Sequence, residues 1–126
     1  MYPFGSLLRA GARLAFGSDW TVSTADPLPE LEVAVTRISP ETRDWAPLLP
    51  EEAIDLPTAL RAFTAGSAYV NFLDGETGTI EPGKLADLVV LDRDVLDPAS
   101  GPLGDASVLL TLVEGETVYA APGLGW

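Results

Sequence analysis

The first twenty residues alternate between an apolar helical pattern and a short extended run. Apolar side chains over residues 4–8 recur at helical spacing, Pro3 suits a first helical turn and Gly11 suits a C-terminal cap. Residues 13–16 predict a strand, which ends in Gly17-Ser18-Asp19-Trp20. The pattern therefore predicts a helix, a strand and then a polar turn.

Several prolines interrupt the middle of the chain, and the strongest amphipathic pattern follows them at residues 57–70. A polar loop is expected over residues 21–29, a short helix over 31–38 and an irregular segment over 39–56. The longest predicted helix covers residues 57–70, with Asp55 as its cap, and its apolar residues predict one buried face. That face holds Leu56, Leu60, Phe63 and Val70.

The pattern becomes β-like near residues 72–76, where we place a boundary. Residues 76–80 predict a short β segment, and Glu81-Pro82-Gly83-Lys84 has Pro and Gly in the order of a type II turn. The apolar run over residues 88–91 is typical of a strand buried on both faces. The remaining elements are a loop over 93–106 and a hairpin of strands 108–113 and 117–121 around Glu114-Gly115-Glu116.

Composition limits the chemistry that the chain can perform. Its 126 residues suffice for one domain but not for a complete TIM barrel, which needs at least ~200. The net charge of -12 disfavours nucleic-acid and membrane-surface roles, because phosphate groups would be repelled. Without a signal-peptide pattern or a long apolar run, a cytoplasmic location is expected.

The absence of two residue types matters more. No cysteine is present, which excludes disulfides and thiolate metal sites, and no histidine is present either. Imidazole is the commonest general base and a leading zinc ligand. A hydrolytic metal centre built from this chain alone would have only carboxylates to use.

Three motifs, in order along the chain, resemble the amidohydrolase superfamily, closest to the branch called amidohydrolase family 3. Residues 2–20, with YPFGSLL and GARLAFGSDW, are similar to the eighth barrel strand and the helix that leads into it. Residues 58–64 (TALRAFT) with Ala68 resemble the helix that follows the barrel. Residues 78–92 (GTIEPGKLADLVVLD) resemble the point where the family's chain re-enters its β-sandwich domain.

The resemblance implies an α/β fold that is incomplete as given. Residues 1–74 would be the last βα units of a (β/α)8 TIM barrel, and residues 75–126 part of a small β-sandwich domain. It also implies a metal-dependent hydrolase of carbon–nitrogen bonds in small amides, formamides or cyclic amides. The family places a divalent metal, often zinc, at the barrel mouth, and no other cofactor is expected.

The resemblance assigns one catalytic residue to this chain. Of the family's metal ligands only the aspartate that ends strand eight is present, as Asp19, which would act as metal ligand and general base. Trp20 would either line the substrate pocket or serve in packing. Read without the resemblance, Asp19 would be a cap or turn residue. Ser18 is rejected as a nucleophile because no histidine can activate it.

Other prominent polar residues are interpreted as structural. Lys84 and Asp87 belong to a turn and a strand start, and residues 26–28 to a turn before a helix. The acidic pairs Glu51-Glu52 and Glu30/Glu32 are expected to be solvated surface.

Two kinds of partner follow from an incomplete fold. We expect the isolated chain to be inactive and to need the missing N-terminal part of the barrel, or else to associate with itself through exposed strand edges. The alternative hypothesis is a non-catalytic structural or partner-binding module that complements another chain. A free-standing small-molecule binding domain is a third and weaker hypothesis.

Overall fold

The computed structural model of the chain describes residues 2–125. The helical elements are α1 (Phe4–Arg9), α2 (Pro27–Thr36), α3 (Leu56–Arg61), a π-helical turn (Ala62–Gly66) and α4 (Ser67–Val70). The strands are β1 (Leu88–Leu91), β2 (Val108–Val113) and β3 (Glu116–Ala120). Short 3-10 turns lie at Pro50–Glu52, Pro98–Ser100 and Leu103–Asp105. Within this part of the chain no helix is long and apolar enough to cross a membrane.

Helix α1 confirms the first predicted helix and its glycine cap. Gly11 has a φ of 86°, and its amide donates to the Leu8 carbonyl at 2.9 Å. The amide of Ala12 donates to the Leu7 carbonyl at 3.0 Å. These two bonds are the Schellman arrangement that ends a helix at a left-handed residue. Pro3 is the N-cap residue, so it precedes the first helical turn in which it was predicted to lie.

Helix α2 begins earlier than the pattern predicted. The loop predicted over residues 21–29 ends at Asp26, and the helix predicted over 31–38 runs from Pro27 to Thr36. The Asp26 carboxylate accepts from the Leu28 amide at 3.0 Å. Because the first-turn amides have no partner inside a helix, prolines there cost nothing in hydrogen bonding. The prolines that suggested a loop therefore belong to the first helical turn.

The predicted helix over residues 57–70 is confirmed, and its buried face is confirmed in part, because Leu60 and Phe63 pack against the core whereas Val70 does not. Asp55 caps it, accepting from the Thr58 amide at 2.8 Å. Val70 is 57% exposed, and the other predicted face residues are only half-buried. The π-helical turn changes the residue spacing in mid-helix, so a single 3.6-residue period does not describe the face. The buried positions are instead small: Ala59, Ala62, Gly66 and Ala68.

Two predicted strands are absent from the described residues. Residues 13–16 form no strand, and their one backbone hydrogen bond outside the regular elements joins the Phe16 amide to the Ala62 carbonyl at 3.0 Å. A β-strand is defined by backbone hydrogen bonds to a neighbouring strand, and no strand among residues 2–125 pairs with this segment. Residues 76–80 are turns and bends, because the amides of Glu76 and Thr77 both donate back to the Leu73 carbonyl at 2.9 Å.

The three strands form an antiparallel sheet in the order β1-β2-β3, which confirms the predicted strand and hairpin. Glu114 and Gly115 make its two-residue turn with φ values of 53° and 85°, as a type I′ turn requires. The predicted type II turn is also confirmed, since the Lys84 amide donates to the Glu81 carbonyl at 3.2 Å. Burial of β1 on both faces is wrong, because Val89 is 55% and Val90 is 46% exposed.

The core is centred on α2 and draws on both halves of the chain. Its buried residues are Leu28, Leu31, Ala34, Ile54, Ala59 and Ala106. Since Ala106 follows the predicted boundary near residues 72–76, the core spans that position. The division into segments 1–74 and 75–126 stays a prediction.

Two of the four acidic residues predicted to be solvated are buried. Glu32, only 4% exposed, accepts from Arg43 at 2.6 Å and from the Gly104 amide at 2.7 Å. Glu52, 8% exposed, accepts from the Ser6 amide at 2.7 Å and from the Ser6 hydroxyl, and these bonds lower the pKa of its carboxyl. Each carboxylate is buried because donors far away in sequence satisfy it.

Candidate functional site

Asp19 lies on an exposed loop directly after the Arg13–Phe16 segment. Its backbone has a φ of 51°, and its carbonyl accepts from the Val22 amide at 2.8 Å, which closes a turn. Among residues 2–125 no donor contacts its carboxylate. Trp20 follows it with 66% of its surface exposed. Both predicted site residues therefore lie on the same solvent-facing loop.

The loop is held at its N-terminal end by Phe16. The Phe16 amide donates to the Ala62 carbonyl at 3.0 Å, and the Phe16 carbonyl accepts from the Ser67 hydroxyl at 2.5 Å. Its ring centroid lies 4.6 Å from that of Phe4 and 5.4 Å from that of Phe63. The Phe16 ring thus packs between α1 and the π-helical turn. Its backbone amide and carbonyl are hydrogen-bonded to the turn and to Ser67.

The C-terminal end of the loop is fixed to helix α2. The Ser23 hydroxyl donates to Glu30 at 3.3 Å, and the Asp26 amide donates to the Thr24 hydroxyl at 3.0 Å. Asp26 is the helix cap, so the interpretation of residues 26–28 as a turn before a helix holds for Asp26 only, and Pro27 and Leu28 already belong to α2. The Asp19 loop is therefore anchored at both of its ends.

The residues of this chain do not by themselves fit a metal centre. In the described range, residues 2–125, no three His, Cys, Asp or Glu side chains come together in a group that could hold an ion. The whole chain lacks His and Cys, so only oxygen ligands are present. Asp19 could contribute one carboxylate to a centre whose remaining ligands lie outside this chain.

Lys84 and Asp87 form hydrogen bonds within residues 74–114 and none to the Asp19 loop. The Lys84 ammonium donates to the Asp74 carbonyl and to the Thr79 hydroxyl, both at 2.7 Å. Asp87 accepts from the Glu114 amide and the Thr77 hydroxyl, each at 2.8 Å, and these donors lower the pKa of its carboxyl. Their prediction as structural residues is confirmed.

Sequence reasoning missed Ser67 and the role of the π-helical turn. The residue pattern in this region is Ala-Phe-Thr-Ala-Gly-Ser, which reads as ordinary helix. A Cβ on Gly66 would overlap the Leu14 carbonyl oxygen, so the helix and the Leu14–Phe16 backbone touch directly. A glycine followed by a serine within an amphipathic helix was the available signal for such a close approach.

Comparison with known proteins places these features in context. A family model described as "Amidohydrolase family" matches residues 1–119. The N-substituted formamide deformylase of Arthrobacter pascens is 40% identical over 123 residues, which are 98% of this chain and 22% of that protein. Protein LONG AFTER FAR-RED 3 of Arabidopsis thaliana is 43% identical over 119 residues, or 94% of this chain and 20% of that protein.

A solved structure shows the same fold over most of the chain. The crystal structure of an amidohydrolase from Thermotoga maritima MSB8 superposes with a TM-score of 0.62 at 24% identity. The match covers 94% of this chain and 26% of that chain. The present chain thus spans about a fifth of the length of the curated relatives named above, at 22% and 20%.

Proposed function

The chain belongs to the amidohydrolase family, and from that premise we propose that it supplies the C-terminal part of a metal-dependent hydrolase of carbon–nitrogen bonds. In this proposal residues 1–74 are the last βα units of a TIM barrel, and residues 75–126 are strands of a β-sandwich domain. The observation that carries it is Asp19, an exposed carboxylate on a loop anchored at both ends, in the most specific of the three matching segments of this chain. Catalysis then needs residues outside these 126.

Asp19 is proposed as the general base. Water adds to the carbonyl carbon of the substrate while the Asp19 carboxylate accepts its proton. Asp19 then gives that proton to the leaving nitrogen as the C–N bond breaks, which yields a carboxylic acid and an amine. General acid–base catalysis of this kind contributes about 10²–10⁴ in rate.

The metal and the substrate complete the proposal. A divalent ion, zinc being the first choice, would bind Asp19 together with ligands from outside this chain, because no three potential ligands come together in residues 2–125. The similarity to an N-substituted formamide deformylase supports small formamides and related amides as substrates. The exposed indole of Trp20 is proposed to line their pocket. We also propose a cytoplasmic location. We further propose that the protein has no nucleic-acid or membrane partners, since its net charge of -12 repels phosphate groups.

The test compares Asp19→Asn with Asp26→Asn in the protein expressed from the complete reading frame that includes these residues. Both substitutions remove one loop carboxylate, but Asp26 caps α2 and stands outside the proposed chemistry. With N-substituted formamides as substrates, we expect Asp19→Asn to lower kcat by about 10²–10⁴. Asp26→Asn should keep kcat within about twofold, since Asn caps helices as well as Asp.

Bound metal is measured on the same samples by elemental analysis. We expect less than one metal equivalent in Asp19→Asn under conditions that load the unaltered protein. Equal kcat and equal metal content in Asp19→Asn and the unaltered protein would contradict the proposal. No hydrolysis of any formamide or amide by the unaltered protein would contradict it as well.

A second candidate function is a structural or partner-binding module that complements another chain. It is favoured by exposed apolar side chains on the β side, where Phe72 is 91% and Ile80 is 87% exposed. Contiguous exposed apolar surface marks protein–protein contacts, and this alternative requires both side chains to belong to such a surface. An unaltered activity profile in Asp19→Asn, together with tight binding to a second polypeptide, would favour this alternative.

A further inference from the structure

We propose that the Ala62 carbonyl, at the start of the π-helical turn, and the Ser67 hydroxyl, directly after it, position the Asp19 loop, with Ser67 as the positioning residue. This inference rests on the proposed role of Asp19 and adds a residue that neither the family motif nor the comparisons single out. Ser67 touches no proposed reacting atom. It acts through the main chain of Phe16.

Hydrogen bonds connect the π-helical turn to Phe16, at the start of the Asp19 loop, although Phe16 belongs to no helix or strand. The Ala62 carbonyl, at the start of the turn, accepts from the Phe16 amide at 3.0 Å. The Ser67 hydroxyl lies 2.5 Å from the Phe16 carbonyl and 3.2 Å from the Ala62 carbonyl. Because a π turn departs from the i→i−4 ladder, its first carbonyl can accept from outside the helix. Ser67 and Ala62 together satisfy both backbone groups of Phe16.

Gly66 makes this arrangement possible. A Cβ there would overlap the Leu14 carbonyl oxygen and come within 3.3 Å of the Ala15 Cα. The absence of a side chain therefore lets the Leu14–Phe16 backbone lie directly against the turn. Single π turns inside α-helices are frequent at functional sites, which is consistent with this placement.

The anchor lies close enough to Asp19 to control its position. Only Gly17 and Ser18 separate Phe16 from Asp19, so the two Cα atoms are at most about 11 Å apart. On the other side the bond from the Val22 amide to the Asp19 carbonyl, at 2.8 Å, closes the turn. A shift at Phe16 therefore passes to the Asp19 carboxylate. A misplacement of about 1 Å at a reacting group can cost about 10²-fold in rate.

The test compares two hydroxyl deletions one helical turn apart, in the protein from the complete reading frame. Ser67→Ala removes the hydroxyl that contacts Phe16. Thr64→Val is the matched control, because the Thr64 hydroxyl donates only to the Leu60 carbonyl within the helix, at 2.8 Å. We expect Ser67→Ala to lower kcat by about tenfold with KM changed less than twofold. Thr64→Val should leave both constants unchanged, and Ser67→Thr should restore most of kcat.

Amide hydrogen exchange supplies a readout that does not depend on activity. The Phe16 amide should exchange faster in Ser67→Ala than in Thr64→Val, whereas the amides of β2 should be unchanged in both. In an Asp19→Asn background, Ser67→Ala should lower residual kcat no further, since the residue that it positions is gone. Equal Phe16 exchange in the two single variants, or equal kcat, would overturn the positioning role.

The same experiment separates this inference from the proposed function. If Asp19→Asn leaves kcat unchanged, the proposed function fails and Ser67 cannot position a catalytic group. If Asp19→Asn is inactive while Ser67→Ala equals Thr64→Val in kcat, the proposed function stands and the positioning role is refuted.

Discussion

Gly78 is the position where a single added methyl group should cost most stability in the β region. It lies in the turns and bends between α4 and β1, and its φ of +86° is in the left-handed region. A Cβ there would come within 2.6 Å of the Ala68 Cβ and within 3.1 Å of the Ala65 Cα. Gly78→Ala therefore combines backbone strain with steric overlap against the helix that carries Ser67.

Two other glycines separate these contributions. Gly83 has a φ of +94° with nothing within 4 Å of an added Cβ, and Gly75 has neither a positive φ nor a near neighbour. A left-handed alanine costs about 1–2 kcal/mol. Overpacking adds about 1–3 kcal/mol. We expect losses of about 3 kcal/mol for Gly78→Ala and about 1–2 kcal/mol for Gly83→Ala, and a gain of up to about 1 kcal/mol for Gly75→Ala.

Equilibrium urea unfolding followed by circular dichroism measures the three free energies of unfolding. The slopes should agree among the variants, so that shifts of the midpoint report stability. If Gly78→Ala and Gly83→Ala lose the same free energy, the close packing of Gly78 on Ala68 contributes nothing and the reasoning is refuted. A large loss of unfolding free energy in Gly75→Ala would also refute it, because Gly75 has neither a positive φ nor a near neighbour.

The remaining predictions concern acid stability and association. Arg93 and the Ser107 amide donate to Asp92 and lower the pKa of its carboxyl to about 2, below an unfolded value of about 3.9. The stabilisation of the fold by ionised Asp92 is thus complete above about pH 4 and is lost as the pH falls through about 2. The melting temperature of Asp92→Asn should therefore depend less on pH across that range than the melting temperature of the unaltered protein does. The isolated 126-residue chain should associate through β1 and β3, because their outer edges pair with no strand among the described residues. Light scattering that shows a sharp monomer at all concentrations would contradict this prediction.

The amino-acid sequence by itself determined the features that depend on a few neighbouring residues. The glycine cap after α1, the Asp55 cap, the type II turn at Gly83 and the hairpin turn at Gly115 were all predictable. Each is fixed by the φ preference of one residue or by a hydrogen bond that spans fewer than six positions. The family motif around Asp19 was also readable, because it consists of consecutive residues.

Only the tertiary structure decided which side chains are buried and how the Asp19 loop is held. Glu52 is buried because Ser6, 46 positions away, donates to it, and Glu32 because Gly104 does so across 72 positions. The segment at residues 13–16 has the pattern of a strand, yet it forms none without neighbouring strands and rests on the π-helical turn instead. Periodicity records which residues are apolar, whereas burial and hydrogen bonding depend on partners that the fold brings from distant parts of the chain.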